Sequence, residues 1–193
     1  YKIKNKKQFF YQDIGWRSFF KSINAKYKIY KKNLNKNSLL DNDYLIISGG
    51  GDIYNISKNK YDLKRDNEEI KLIKLFINKK KPIIVICRGF QLLANFYKNK
   101  LIRVRNHVNK NHIIKLNKNL ISNKKKINTN SYHNFGMRKL NKKFSVIGKT
   151  KDNLIEIAFL KNKKVLCLMF HPERYNKNQD SINKLILNFL KNK

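Results

Sequence analysis

The alternation of apolar and polar residues along the chain predicts a series of short strands and amphipathic helices. Apolar residues at helical spacing predict helices over residues 8–22, 64–79 and 179–192, and a further helix that begins at Gln91. Short apolar or alternating runs predict strands over residues 27–30, 44–47, 83–86, 101–104, 113–116, 127–134, 144–147, 154–159 and 165–170. No internal repeat or low-complexity linker divides the chain, so we expect residues 1–193 to form a single domain.

Two buried strands flank the second predicted helix and form a βαβ unit with it. The strands at 44–47 and 83–86 should therefore run parallel, with their carboxyl ends at the same edge of the sheet. Open α/β sheets bind ligands at that edge. The first strand ends in a loop whose glycines let the backbone approach a ligand closely, Ser48-Gly49-Gly50-Gly51-Asp52. It is not a phosphate-binding P-loop, because no Gly-Lys-Ser/Thr follows.

Cys87 ends the second strand of this unit, and an amphipathic helix begins within a few residues of it. A cysteine on a sharp strand-to-helix turn is typical of a nucleophile elbow. Such a turn exposes the side chain at the sheet edge, and the positive end of the helix favours the thiolate. The alternative is a small buried apolar residue at a strand end, which is the usual role of a free cysteine.

The chain is strongly basic, with 45 Lys and Arg against 12 Asp and Glu and a net charge of +33. This excess first suggests nucleic-acid binding. The lysines, however, are spread along the whole chain, and Asn, Ile, Phe and Tyr are abundant beside them, a joint bias that AT-rich codons produce. We interpret the charge as drift in surface composition. We therefore expect non-specific polyanion binding at low salt and no specific nucleic-acid partner.

The sequence also bears on the compartment. No apolar run approaches the roughly 20 residues of a membrane span, and the first residues, Tyr1–Lys7, lack the apolar region of a secretory signal. The two cysteines, Cys87 and Cys167, are predicted to be reduced thiols rather than a disulfide. We therefore predict a cytoplasmic protein with no membrane partner, and we place Cys167, in mid-strand, in the core.

Several stretches carry the groups that cysteine hydrolysis of an acyl bond requires: a thiolate, an imidazole base, a group that orients the imidazole, and N–H donors for the oxyanion. Cys87 can supply the thiolate, and His171, at the end of the last strand, can supply the base. Glu173 lies two residues further on and can reach back to the imidazole. The backbone amides of Gly50 and Arg88 can form the oxyanion hole.

Together these stretches resemble the class I glutamine amidotransferase superfamily, and within it the γ-glutamyl hydrolase (peptidase C26) branch. That branch includes γ-glutamyl-γ-aminobutyrate hydrolases and hydrolases of γ-glutamyl-tagged nucleotides. The resemblance extends from about Trp16 to the C-terminus and implies a flavodoxin-like α/β fold, with a mostly parallel sheet and flanking helices. The matching stretches are Ser48-Gly49-Gly50-Gly51-Asp52, Ile86-Cys87-Arg88-Gly89-Phe90-Gln91-Leu92-Leu93, Asn130-Ser131-Tyr132-His133 and Met169-Phe170-His171-Pro172-Glu173-Arg174.

The resemblance implies a covalent γ-glutamyl thioester on Cys87, with His171 as the base and Glu173 orienting it. Five residues would hold the glutamyl group of a small-molecule γ-glutamyl substrate: Gly51, Gln91, Ser131, Tyr132 and His133. A structural, hydrogen-bonding role is an equal alternative for His133. An amine or ammonia would leave first, water would then release glutamate, and we expect no cofactor.

The chain departs from the family pattern at two places. The family usually has glycine two residues before the cysteine, whereas this chain has Val85, whose Cβ must fit a crowded elbow. The family also begins with an apolar strand of the central sheet, for which Tyr1–Lys7 is a poor substitute. We therefore expect the first strand of the sheet to be missing.

The sequence leaves alternatives open for two histidines and one arginine. His107 and His112 can line the pocket for the leaving group. A zinc site is the alternative, which we discount because no cysteine or third histidine has ligand spacing nearby, so we expect no metal. Arg88 can contact a carboxylate or phosphate of the substrate, or it can pair with Asp52 or Glu69.

The function that these residues favour is a cysteine-dependent hydrolase of γ-glutamyl amides. One alternative is a glutaminase component, an amidotransferase that supplies ammonia to a partner synthase. A second alternative is a catalytically decayed relative that binds polyanions through its charge of +33. The intact Cys87, His171 and Glu173 argue against the second alternative, and the leaving amine stays open.

Overall fold

The computed structural model describes residues 2–4, 7–9, 15–30, 36–117 and 124–191. The strands in these residues are β1 (Lys2–Lys4), β2 (Lys7–Phe9), β3 (Leu45–Ile47), β4 (Ile83–Ile86), β5 (Ile102–Arg103), β6 (Val108–Leu116), β7 (Lys126–Tyr132), β8 (Phe135–Gly136), β9 (Phe144–Lys149), β10 (Ile155–Leu160) and β11 (Val165–Leu168). The helices are α1 (Gly15–Ser22), α2 (Lys36–Leu40), α3 (Tyr54–Ser57), α4 (Lys60–Asn78), α5 (Arg88–Phe96) and α6 (Gln179–Lys191). No helix in these ranges combines the length and the apolar character that a membrane crossing requires.

A seven-stranded sheet has the strand order β3-β4-β11-β10-β9-β6-β7. β3, β4 and β11 are parallel neighbours, whereas β10, β9, β6 and β7 continue the sheet through antiparallel pairings. The predicted βαβ unit is confirmed, since β3 and β4 are parallel and α4 lies between them in the chain. The α/β fold is confirmed as well, but the sheet is mixed, with its parallel part confined to the three strands that precede the glycine loop, Cys87 and His171.

The N-terminal segment differs in part from its prediction. Of the helix predicted over residues 8–22, the structure shows Gly15–Ser22 as α1, whereas residues 7–9 form β2 and residues 10–14 lie outside the described part of the chain. Among the described residues, β1 and β2 pair only with each other, and the large sheet begins with β3. This agrees with the expectation that Tyr1–Lys7 supplies no strand to the central sheet.

The strand predicted over residues 27–30 is wrong, because this segment has irregular backbone in the structure. Its apolar side chains make other contacts than those of a strand. The ring of Tyr27 stacks on that of Phe20 in α1, with centroids 4.4 Å apart, and Ile29 is more than half exposed. Alternation alone therefore does not make a strand here, since the segment pairs with no strand of the described residues.

β4 is buried on both faces and separates the two halves of the core. All four of its residues are fully buried. Because alternate side chains of a strand point to opposite faces, Ile84 and Ile86 pack on the side of α1 and α6, and Ile83 and Val85 pack on the side of α4 and α5. Val85 is fully buried in this second layer, so the elbow accommodates its side chain.

Gly89, in the first turn of α5, lets that helix approach the end of β3. A Cβ atom at this position would lie 2.7 Å from the carbonyl oxygen of Ile47 and 2.9 Å from its Cγ2. The helix can therefore start at the sheet edge, near the loop that follows β3.

Cys167, in β11, is fully buried, as predicted. It lies in the layer of the core that also contains Ile83 and Val85.

Candidate active site

Cys87 lies between the end of β4 and the start of α5. Its backbone has φ +48° and ψ −103°, a conformation that non-glycine residues rarely adopt and that costs on the order of 1–3 kcal/mol. The sheet holds it in place, since the Cys87 N–H donates to the carbonyl oxygen of Leu168 at 2.7 Å. The predicted sharp turn from strand to helix is therefore present, and Cys87 is only 6% exposed.

The imidazole of His171 lies between the Cys87 sulfur and Glu173. Its Nδ1–H donates to Oε1 of Glu173 at 2.6 Å, and both side chains are almost fully buried. Burial alone would lower the pKa of His171, but hydrogen bonds to the Cys87 sulfur and to Glu173, together with their negative charges, raise it from 6.5 to about 9. This raised pKa favours the protonated imidazole at neutral pH.

The glycine loop after β3 closes over the cysteine–histidine pair. A Cβ atom at Gly49 would lie 2.6 Å from Cε1 of His171 and 3.3 Å from Cβ of Cys87, which leaves no room for a side chain. Gly50 and Gly51 have φ of +96° and +72°, where L side chains are strained. Gly49 is therefore required because any side chain there would collide with His171 and Cys87. Gly50 and Gly51 are required for their backbone conformation.

Arg65 of α4 fixes the orientation of this loop. Its guanidinium donates to the carbonyl oxygens of Gly50 at 2.6 Å and Gly49 at 3.2 Å. In a trans peptide the N–H points opposite to the C=O. The Gly50 N–H shares its peptide with the Gly49 carbonyl, so it points away from Arg65. The loop thereby presents an N–H group on the side opposite to α4.

The side chain of Arg88 is fully buried and connects the elbow to α4. It forms ion pairs with Asp66 and, at 2.6 Å, with Glu69, and its Nε donates to the carbonyl oxygen of Asp52. Of the two roles predicted for Arg88, the structure therefore shows internal pairing. Burial raises the pKa of Asp66, against the lowering effects of the Tyr54 N–H and of Arg88. The backbone amide of Arg88 belongs to the first residue of α5.

Asn130 on β7 holds the backbone of His171. Its side-chain amide donates to the His171 carbonyl oxygen at 2.8 Å, and its oxygen accepts the His171 N–H at 2.9 Å. Asn176 supports the same segment, since its side chain accepts the Asn130 N–H at 2.9 Å and donates to the carbonyl oxygens of His171 and Arg174. Both asparagines are almost fully buried, so the loop that carries His171 is tied firmly to β7.

Of the predicted substrate residues, Tyr132 lies directly against the candidate base. Its ring meets the imidazole of His171 edge-on, with centroids 5.8 Å apart. The guanidinium of Arg174 lies 4.4 Å from the centroid of the Tyr132 ring, within range of a cation–π contact. Tyr132 is only partly buried, so its remaining surface is available to a ligand.

Ser131 and Gln91 direct polar groups into the protein. Ser131 is fully buried, and its hydroxyl donates to the carbonyl oxygen of His107 at 2.6 Å. The side-chain amide of Gln91 donates to the carbonyl oxygen of Phe135 at 2.9 Å. These contacts join β7 to the segment before β6, and α5 to β8.

Comparison with known protein families decides the assignment of the chain. Residues 29–173, which include Cys87, His171 and Glu173, match the family model of Peptidase C26. The chain belongs to the Peptidase C26 family. It is 33% identical over 132 residues to the γ-glutamyl-CDP-amidate hydrolase of Campylobacter jejuni, a match that covers 68% of this chain and 62% of that protein. The family predicted from the motifs is thus confirmed, and the chain spans less than two thirds of this relative's length.

Two solved structures show the same fold as this Peptidase C26 chain. One is assigned as part of a GMP synthase from Thermoplasma acidophilum; it has a TM-score of 0.74 and 16% identity, and covers 92% of this chain and 87% of that one. The other, a glutamine amidotransferase from Thermotoga maritima, has a TM-score of 0.71 and 13% identity, and covers 91% of each chain. At these identities the likeness establishes the class I glutamine amidotransferase fold alone.

This Peptidase C26 chain also gathers its other three histidines around Glu156 of β10. Glu156 is fully buried, and its carboxylate oxygens lie 3.4 Å from Nε2 of His112 and 3.3 Å from Nε2 of His133. Burial would raise the pKa of Glu156, but its contacts with His112 and His133 lower it. The ring of His107 lies 5.1 Å from that of His133. The folded chain thus brings a third histidine close to His107 and His112, which its spacing in the sequence did not indicate.

Arg65, Asn176 and Glu156 are functional candidates that the sequence analysis did not single out. Glu156 carried a signal, because a carboxylate inside an apolar strand must be paired when it is buried. Arg65 and Asn176 carried none. Arg65 lies on a helix with many charged residues, and Asn176 lies in a polar connection.

Proposed function

We propose that this Peptidase C26 chain hydrolyses γ-glutamyl amides through a γ-glutamyl thioester on Cys87. The observation that carries the proposal is the buried line of Cys87, His171 and Glu173 at the carboxyl ends of two adjacent parallel strands, β4 and β11. The relation to the γ-glutamyl-CDP-amidate hydrolase of Campylobacter jejuni supports the γ-glutamyl class of substrate.

In the first half-reaction, the Cys87 sulfur attacks the γ-carbonyl carbon of the substrate and forms a C–S bond. The carbonyl oxygen becomes an oxyanion, which the N–H groups of Gly50 and Arg88 would stabilise. The protonated His171 transfers its proton to the leaving nitrogen as the C–N bond breaks. Its raised pKa keeps that proton available at neutral pH. The amine leaves, and the γ-glutamyl group stays on the sulfur.

In the second half-reaction, water takes the place of the amine. The now neutral His171 accepts a proton from the water molecule as the water oxygen attacks the thioester carbon. The C–S bond breaks, glutamate leaves, and the thiolate–imidazolium pair of Cys87 and His171 is restored. Glu173 keeps the imidazole oriented through both steps by its 2.6 Å hydrogen bond to Nδ1.

The glutamyl group would lie between the glycine loop and the end of β7. Of the predicted substrate residues, Tyr132 is partly buried and Gly51 is exposed, whereas Gln91, Ser131 and His133 are buried. We therefore propose Tyr132 and Gly51 as direct contacts of the substrate. The three buried residues would support the pocket without touching the ligand.

The test is intact-mass spectrometry after exposure to diazo-oxo-norleucine, an electrophilic analogue of glutamine. We expect a single adduct on Cys87 of the wild-type chain, none in Cys87→Ala, and a strongly slowed reaction in His171→Ala. Cys167→Ala is the matched control, because Cys167 is also buried but lies in the core of β11. It should label at the wild-type rate.

Release of glutamate from γ-glutamyl amides completes the test. Cys87→Ala should abolish turnover while its circular dichroism spectrum stays unchanged, and turnover that survives in this variant contradicts the proposal. Labelling of Cys87 with glutamine hydrolysis only in the presence of a synthase would identify the glutaminase alternative. A folded wild-type chain that takes no label would favour the decayed, polyanion-binding alternative.

A further inference from the structure

A second group of side chains converges at a point between β6, β7 and β10, and we call it the histidine cluster: His107, His112, His133 and Glu156. Five of its buried atoms have no hydrogen-bond partner among the described residues: Nδ1 of His107, Nε2 of His112, Nε2 of His133 and both carboxylate oxygens of Glu156. The Nε2 atoms of His133 and His112 lie 3.3 and 3.4 Å from the carboxylate oxygens of Glu156, which is within ion-pair distance but without hydrogen-bond geometry. Buried polar atoms normally have a hydrogen-bond partner, so five such atoms without one in a single cluster favour a ligand site.

Two of these histidines are held from outside the cluster. Nδ1–H of His133 donates to the carbonyl oxygen of Phe135 at 3.1 Å, and Nε2 of His107 lies 3.2 Å from Oδ2 of Asp152. Because Nδ1 of His133 faces the Phe135 carbonyl, its Nε2 faces the carboxylate of Glu156 at 3.3 Å. A cation between this nitrogen and the carboxylate, either a proton or a metal ion, would stabilise the contact. Outer hydrogen bonds to a carbonyl or carboxylate are typical of histidines that bind metals.

The separations and the donor types suit zinc. One ligand atom each from His107, His133 and Glu156 lie within 4.8 Å of one another, and His112 contacts the same carboxylate. Zinc binds nitrogen and oxygen at about 2.0–2.2 Å, so the ligand atoms of a tetrahedral site lie roughly 3.3–3.6 Å apart. These three ligand atoms would therefore draw closer together on binding, and Nε2 of His112 would supply the fourth ligand. Imidazoles in excess over carboxylate favour zinc and related transition metals over magnesium or calcium.

Irregular backbone accompanies two of the four residues. The pairing of β10 with β9 shifts register between Ile155 and Ile157, around Glu156. The pairing of β6 with β7 shifts register just after Val108, next to His107. β-Bulges redirect side chains and are frequent beside functional sites. The register shifts of the sheet thus coincide with Glu156 and His107, whose side chains lie in the cluster.

We propose that the histidine cluster binds one divalent transition-metal ion of the zinc class. Three histidines and one carboxylate complete a tetrahedral set, which is the closed arrangement of a structural site. The side chain of His112 is the most exposed of the four, at 14%, and marks the side of entry. The ion would fix the end of β7, where His133 follows Tyr132, and so the position of Tyr132 against His171. None of the four ligands takes part in the thioester chemistry, so this proposal stands independently of the proposed function.

The test is metal binding by the full chain after chelator treatment, with Co²⁺ and Zn²⁺ as probes. We expect one ion per chain, a tetrahedral cobalt spectrum without a sulfur-to-cobalt charge-transfer band, and a Tm that rises with free zinc. Asp152→Asn, which changes the outer contact of His107 and removes no ligand, should weaken binding by about 10- to 100-fold. Glu156→Gln and His112→Gln, which remove ligands, should weaken it by more.

The control must separate this site from the candidate active site, because Cys87 and His171 can bind zinc themselves. The double variant Cys87→Ala with His171→Asn should keep one ion per chain at wild-type affinity. Absence of cobalt binding by the folded wild-type chain overturns the proposal. So does binding that disappears in the double variant and persists in Glu156→Gln. If Glu156→Gln does not fold, His112→Gln decides the question, because it changes the most accessible ligand.

Discussion

At the scale of single residues, Gly49 is important because it has no side chain. An alanine there would press its Cβ to within 2.6 Å of the His171 ring, and the imidazole would have to move. Because a displacement of about 1 Å in a catalytic group can cost 10²-fold in rate, we expect Gly49→Ala to lower kcat/KM for γ-glutamyl amides by about 100-fold. Steady-state kinetics on the folded variant measure the effect.

Gly136→Ala is the matched control for this substitution. A Cβ atom at Gly136 would meet nothing closer than 3.6 Å, an ordinary van der Waals contact. This variant should keep the wild-type kcat/KM. Equal losses in both variants would show that alanine acts through general stability and not through the imidazole of His171.

The raised pKa of His171 makes stability depend on pH in a defined direction. Because its folded-state value of about 9 lies above the ordinary 6.5, the protonated imidazole favours the folded state. This contribution is complete below pH 6.5 and disappears as the pH rises through about 9. In Glu173→Gln we expect the titration midpoint of His171, followed by NMR of the ring, to fall by about 1–3 pH units. The stability advantage of the wild-type chain over this variant should shrink over the same range.

A control variant distinguishes the local effect of Glu173 from a general change in charge. Asp152→Asn also removes one carboxylate beside a histidine, but that histidine is His107. It should leave the titration midpoint of His171 in place. A His171 midpoint near 6.5 in the wild-type chain would refute the expectation outright.

At the scale of elements, the loop between β11 and α6 depends on one amide of β7. Asn130→Ala removes a donor and an acceptor from the backbone of His171. The buried His171 N–H loses its partner, whereas the carbonyl oxygen keeps the bond from Asn176. We expect the free energy of unfolding to fall by about 1–3 kcal/mol, and kcat to fall because the imidazole loses its anchor. Urea unfolding and steady-state kinetics measure the two effects. Asn141→Ala, which removes an exposed amide contact to the Tyr97 carbonyl, should change both quantities much less.

The elements near the candidate active site were predictable because each is defined by its own residues. The apolar run of β4 and the amphipathic pattern of α5 can be recognised without knowing which elements pack against them. Cys87, His171 and Glu173 likewise belong to local motifs. Three-residue strands such as β2 are different, since pairing and not sequence pattern defines them. The aromatic spacing of residues 8–22 therefore suggested a longer helix than the chain forms.

The histidine cluster could not be predicted from spacing. Its ligands come from three regions of the sheet, and their proximity depends on which strands pair and in which register. β6 and β7 are neighbours in the sheet. Only for this reason does His112 lie opposite Thr129, and does the backbone N–H of His133 donate to the carbonyl oxygen of His107. Glu156 reaches them from β10, two places further along the sheet.

At the scale of the whole molecule, several of the few acidic residues make defined contacts inside the protein. Of the 12 in the chain, Asp66 and Glu69 pair with Arg88, Glu156 lies among the histidines, and Glu173 holds His171. In the part of the chain that the structure describes, nearly all lysines are exposed at the surface. The interpretation of this charge as drift in surface composition stays a prediction.

The same distribution predicts how the protein behaves toward polyanions. With a net charge of +33, it should bind heparin and unrelated DNA duplexes alike at low salt. Affinity should fall by about 10³–10⁵ between 50 and 200 mM salt if 6–10 phosphates are neutralised. Fluorescence anisotropy over a salt series measures this. Tight binding that persists at high salt and prefers one DNA sequence would show a specific nucleic-acid partner instead.

The parallel pairing of β4 with β11 also determines when Cys87 and His171 come together during folding. The two strands are adjacent in the sheet but lie roughly eighty residues apart in the chain, and contacts of such long range form late in folding. During synthesis, Cys87 leaves the ribosome well before His171 does. Until the last part of the chain emerges and β11 docks, the cysteine has neither base nor orienting carboxylate beside it. The proposed pair of Cys87 and His171 can therefore form only after β11 has docked against β4.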